Sequence, residues 1–200
     1  QAAEEDKKPA MLRNSQTWWD RLAGATIEAA LEHTPLIDLE YLVALGRSGG
    51  VLPRGRQNVP PAAFITKAHL WRLKLWNMKK DKSALGVLIW SYPWLDAHHS
   101  DRLGAQLRRL LPVLEAMLAE AKRDSPYCTV GVMIDMLCLP QKPFASDVIE
   151  QQFKVSLKNI NIWYYHTCTY VLLVTTPPPE GGEYGNCLLY TSPSPRDIGE

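Results

Sequence analysis

Groups able to do chemistry stand close together in the run Val130 to Gln141, V-G-V-M-I-D-M-L-C-L-P-Q: the carboxylate of Asp135, the thiol of Cys138 and the amide of Gln141. A carboxylate can hold a sugar hydroxyl or accept a proton, an ionised thiol is a nucleophile, and an amide both donates and accepts. A second set, a hydroxyl, a phenol and an indole, stands at Ser91, Tyr92 and Trp94. Each set follows an apolar run rich in β-branched residues, G-V-L-I-W at 86–90 and V-G-V-M-I at 130–134. Such runs read as strands buried on both faces, and Pro93, Pro140 and Pro143 keep their exits from continuing as strand or helix. Ligands of parallel sheets gather beyond the carboxyl ends of the strands. Ser91, Tyr92, Trp94, Asp135, Cys138 and Gln141 are therefore the candidate ligand-binding residues of a cleft suited to a nucleotide or a sugar, with no catalytic residue assigned. The first set also admits a structural reading, in which Asp135 caps the following loop, Cys138 packs and Gln141 bonds to backbone.

These segments need a frame. A third apolar run, T-Y-V-L-L-V at 169–174, predicts another strand. Between the runs, Leu103, Leu107, Leu110, Leu114, Met117 and Ala121 predict a helix from Asp101 to about Lys122, with Pro112 kinking or dividing it. Ser146 caps a further predicted helix carrying Ile149, Phe153, Leu157, Ile160 and Trp163 or Tyr164 on one face. The order β-α-β-α-β implies a three-layer α/β domain over 83–186, with a parallel sheet and right-handed crossovers.

An α-helical N-terminal segment, 14–82, precedes it, after a solvated lead-in over 1–13. One helix starts at Asn14 or Ser15 and ends near His33. A second is predicted from Thr34-Pro35 through Leu36, Leu39, Leu42 and Leu45, ended by Gly46 and Ser48-Gly49-Gly50. Val51 to Pro61 reads as a connector, and Thr66 caps a helix from Lys67 to about Lys79.

Composition removes several classes of function. With 22 Lys and Arg against 21 Asp and Glu, and no basic stripe interleaved with aromatics, nucleic acid is not an expected partner. Cysteines at 128, 138, 168 and 187 form no C-x-x-C pair and read as buried free thiols. Asp96, His98, His99 and Asp101 are of metal-ligand type, but their spacing matches no zinc pair, and no metal is expected. No glycine-rich phosphate loop carries its lysine in a strand-to-helix context, and no cofactor is expected. Ile160 to Val174 is too polar and too short to span a membrane, so no membrane partner is expected, and without a signal peptide the expected location is intracellular, in the cytoplasm.

The end of the chain is of another kind. Cys187 to Asp197, C-L-L-Y-T-S-P-S-P-R-D, resembles the in-frame translation of a transposase adapter used in sequencing libraries, so 187–200 is expected to be non-native and to pack against nothing. Without its one Arg, one Asp and one Glu, 21 basic residues face 19 acidic ones, a formal charge of +2, and the expectation about partners stands.

A strand ending Ser91-Tyr92-x-Trp94, followed by one ending Ile134-Asp135-x-x-Cys138-Leu139-x-Gln141, resembles the HET (heterokaryon-incompatibility) domain pattern. The passage Tyr165-x-x-Cys168-x-x-Val171 is similar to that family's Tyr-x-x-Ala-x-x-Val entry into the next strand. Closer still is the resemblance to uncharacterised protist families of dinoflagellate type, with a Ser-Tyr-x-Trp-Leu strand end. The likeness covers about residues 86–176. Leu95 stands where HET domains usually carry glycine, and Ala97-His98-His99-Ser100-Asp101 lacks the proline of the protist His-Pro-Asp loop.

HET domains are in turn similar to TIR domains, so the resemblance implies a truncated flavodoxin- or TIR-like sheet. It also implies a signalling or immunity-type interaction module that binds a protein partner or itself. The alternative it implies is an NAD-consuming glycohydrolase or nucleotide-processing enzyme whose catalytic glutamate, on the element after the third strand, is missing from this chain.

Overall fold

The structure, a computed structural model, describes residues 18–77, 85–92, 99 and 101–175. Pro93 to His98, with Trp94, Asp96 and His98, lie outside these residues, as does the expected adapter-like tail, 187–200. In chain order the elements are α1 (Trp18–Arg21), α2 (Gly24–Ala30), β1 (Leu36–Asp38), α3 (Leu39–Arg47), β2 (Phe64–Ile65), α4 (Lys67–Asn77), β3 (Leu85–Ser91), α5 (Ala105–Asp124), β4 (Thr129–Met133), α6 (Asp135–Cys138), α7 (Asp147–Lys158), α8 (Asn161–Tyr165) and β5 (Thr169–Leu173).

One open sheet of order β2-β1-β4-β3-β5 carries the fold, with helices packed on it. β3 pairs parallel with β4 and with β5, so the first of the three predicted strands is central among them. All five residues of β4 are buried, which requires cover on both faces and accounts for its unbroken apolar run. α3 and α5 pack on each other and on β4, while α8 packs on α2 and β5.

The purely parallel sheet is not what forms. β1 joins the free side of β4 antiparallel, and β2 joins β1 antiparallel, so the sheet is mixed and the N-terminal segment is not wholly helical. The i, i+3 spacing of Leu36, Leu39, Leu42 and Leu45 imitates a helical face across two elements. Its first turn is strand, with Leu36 and Ile37 fully buried, and the helix starts only where the Asp38 carboxylate accepts from Glu40 N at 2.9 Å. Asp38 also accepts from the Thr129 hydroxyl at 2.7 Å, tying β1 to β4. Gly131 makes this approach possible, because a Cβ there would stand 2.6 Å from Leu36 Cδ1.

α5 runs unbroken through Pro112, neither dividing nor starting at Asp101 as the spacing suggests. Leu107, Leu110 and Leu114 are buried on either side of the proline, and this packing offsets the one lost backbone bond. Asp101 is instead a buried cap that accepts from Gln106 N at 3.1 Å and Leu107 N at 2.8 Å, while its own N–H donates to His99 Nδ1 at 3.1 Å.

The helix capped by Ser146 is also two. It ends at Lys158, turns at Asn159-Ile160 and resumes as α8, which leaves Leu157 43% exposed and puts Ser156 in the buried position. No helix among the described residues is long and apolar enough to cross a membrane.

Candidate functional site

β3 and β4 run parallel and in register, so their carboxyl ends emerge side by side. Ser91, Tyr92 and Asp135 meet there, joined by Trp90, Met133 and Tyr164, around a cavity of about 10 Å³. That volume admits a single water. Tyr92 is buried, its ring 5.2 Å from that of Trp90, and Trp90 Nε1 is buried with no hydrogen-bond partner among the described residues. Tyr164, reaching in from α8, escaped the sequence reading. Burial raises its phenol above the ordinary tyrosine range, the Ser91 hydroxyl opposes the shift through a hydrogen bond, and the charge of Asp135 adds to it.

The rest of the Asp135 to Gln141 run turns inward. Asp135 Oδ1 accepts from Met136 N at 2.6 Å, at the first turn of α6. Cys138 is fully buried; its sulfur accepts from Ile134 N at 3.4 Å and faces the carbonyl of Val132 at 3.5 Å. Burial pushes this thiol up to about 12, so at neutral pH it is protonated and no nucleophile. Gln141 Nε2 donates to the carbonyls of Leu139 at 3.1 Å and Asp135 at 3.4 Å, bracing the exit from α6. These are the contacts of the packing alternative. The structure thus brings Ser91, Tyr92 and Asp135 together, holds Cys138 in the core and points Gln141 to backbone.

A larger cleft opens beside Gln141. It measures about 590 Å³ and is lined by Pro35, Arg56, Val59, Phe64, Pro143 and Ile149 among others, with Gln57, Gln141 and Gln152 supplying amides. Gly55, packed against Gln57 and Gln141, leads into the one-turn 3-10 helix Arg56–Asn58 that presents the guanidinium. Nothing in the local sequence marked this place except two arginines in a connector, Val51 to Pro61, that holds no acidic residue.

His166, also missed, is a fastener. Its Nδ1 accepts from Cys168 N at 3.1 Å, so the ring proton sits on Nε2, which donates to the carbonyl of Ala23 at 3.1 Å. It ties the entry of β5 to the turn between α1 and α2. Among the described residues no group of three or more His, Cys, Asp or Glu is placed to hold a metal ion.

The fold and site define an α/β domain on a mixed open sheet. No family model matches the chain, and neither a curated protein nor a solved structure does.

Proposed function

We propose that this domain is an interaction module of the signalling kind that HET-like and TIR-like domains exemplify, and that it associates with a second copy of itself through β5. The observation that carries the proposal is the exposure of that strand: Tyr170 is 69%, Val171 46% and Leu173 63% exposed, with Tyr165 beside them at 71%. β5 forms the end of the sheet, paired only with β3 among the described residues, and its sequence T-Y-V-L-L has no charge, proline or glycine to discourage another strand. A strand of this composition gains backbone hydrogen bonds and apolar burial by pairing with its own two-fold copy. Tyr170 also borders an apolar groove of about 610 Å³ along α5, lined by Val113, Met117 and Ala121, which widens the surface available to a partner.

The order β4-β3-β5, first strand central, is the order in which a flavodoxin-like sheet begins, and this supports the finer assignment. No observation among the described residues favours the NAD-consuming alternative, since the cavity at the strand ends has room for one water.

Sedimentation equilibrium over a range of concentrations tests the proposal. Wild type should dimerise, and Val171→Lys with Leu173→Lys, both at exposed positions, should be a folded monomer. A monomeric wild type, or a dimer that survives the two lysines, would refute association through β5.

A further inference from the structure

The side chain of Arg56 is gripped from two directions. Nη1 donates to the carbonyl of His33 at 3.2 Å and to that of Cys138 at 3.3 Å, which uses both of its N–H bonds. His33 O also accepts from the Ser156 hydroxyl at 3.0 Å, so the anchor is itself fastened to α7. Among the described residues the remaining edge of the guanidinium, Nε–H and the two Nη2 hydrogens, meets no acceptor, and no carboxylate lies within ion-pair distance. Burial lowers the pKa of Arg56, and the neighbouring Cys138 opposes the shift to a smaller extent. The guanidinium still stays charged throughout the neutral range.

We propose that the Arg56 cleft is a binding site for a small apolar carboxylate, whose carboxyl group lies against the Nε–Nη2 edge and whose body lies against Val59, Phe64, Pro143 and Ile149. Two parallel N–H donors in one plane match the two oxygens of a carboxylate, a fit that a single ammonium cannot reproduce. Because Nη1 is fixed by two carbonyls, the free edge is already oriented, and little rotamer entropy is lost on binding. The volume of about 590 Å³ falls within the range of small-molecule sites, roughly 300–1,000 Å³, and the walls are largely apolar. A neutral ligand of the same shape would fill the walls and leave the guanidinium without its anion. The site shares no residue with β5, so it stands or falls independently of self-association.

Calorimetric titration of the full chain with 2-naphthoate tests this, with 2-naphthamide as the neutral twin and 2-naphthyl phosphate as the other oxyanion. Naphthoate should bind roughly tenfold or more tightly than the amide, since a charge-assisted bond is worth that much over a neutral one. It should also bind more tightly than the phosphate. Arg56→Gln should bring naphthoate down to the level of the amide. That change also removes the bonds to His33 and Cys138, so Ile149→Trp, which fills the cleft and keeps Arg56, serves as the second variant and should abolish binding of all three. Equal binding of naphthoate and naphthamide, no binding of either, or full binding to Ile149→Trp would each overturn the site. A phosphate bound as tightly as the carboxylate would overturn the carboxylate assignment.

Discussion

Two places gather polar groups, the ends of β3 and β4 and the Arg56 cleft, and the chain passes from one to the other within the run Asp135 to Gln141. They differ in what encloses them. At the strand ends Trp90, Tyr92, Met133 and Tyr164 close around about 10 Å³, whereas the cleft opens to about 590 Å³. At the strand ends the polar groups are largely spent on the fold: Asp135 on Met136 N, Cys138 on Ile134 N, Gln141 on two carbonyls. In the cleft, Arg56 keeps an edge that meets no acceptor among the described residues. A strand that stops at the surface needs side chains to satisfy the backbone it releases, so a dense cluster of reactive residue types can mark the needs of a turn.

Substitutions separate the two regions by the size of their effects. Trp90→Ala should be the most damaging, about 3–5 kcal/mol of stability by urea denaturation, because it empties a fully packed site. A loss below about 1 kcal/mol would mean that the strand ends are not closed as described. Asp101→Ala should cost about 1–3 kcal/mol by the same measurement, because two buried N–H groups at the start of α5 lose their acceptor.

On the cleft side, Gln57→Ala should stay within about 0.5 kcal/mol, since Gln57 is exposed and its side chain makes no hydrogen bond among the described residues. The smallest effect concerns titration. The pKa of Tyr164 is raised first by burial and then by Asp135, so the folded state favours the neutral phenol. Its contribution to stability is present below the unfolded pKa and is lost as pH rises through the folded one. Asp135→Asn should bring the Tyr164 transition down without returning it to the ordinary range, read by ultraviolet difference titration against a Tyr164→Phe control. An unchanged transition would remove Asp135 from that cavity.

How much of this was legible varies by element and for physical reasons. β3, β4 and β5 could be read because strands covered on two faces, or lying beside one, are short apolar runs, and Pro93 closely follows the first of them. Pro140 does not stop β4, which turns straight into α6. β1 could not, because leucines three apart look alike whether a helix continues or a strand gives way to one at Asp38. β2 is two residues long and leaves no period to detect. Ser91, Tyr92 and Asp135 were placed at one end of the sheet because parallel strands share a direction. The Arg56 cleft had no such guide, since its parts come from Pro35, Arg56, Gln141 and Ile149, brought together only by tertiary packing.

The reactivity of Cys138 tests the closure of the strand-end run most directly. The folded chain is incubated with iodoacetamide at mildly alkaline pH, and the modified cysteines are mapped by peptide mass, with a urea-unfolded sample as the reference. With Cys138 fully buried and its pKa pushed up to about 12, it should stay unmodified until the chain unfolds and then react like any free thiol. Modification of Cys138 in the folded chain at the rate seen in urea would contradict the account, because the thiol of the Asp135 to Gln141 run would then be an open, reactive group at the end of β4.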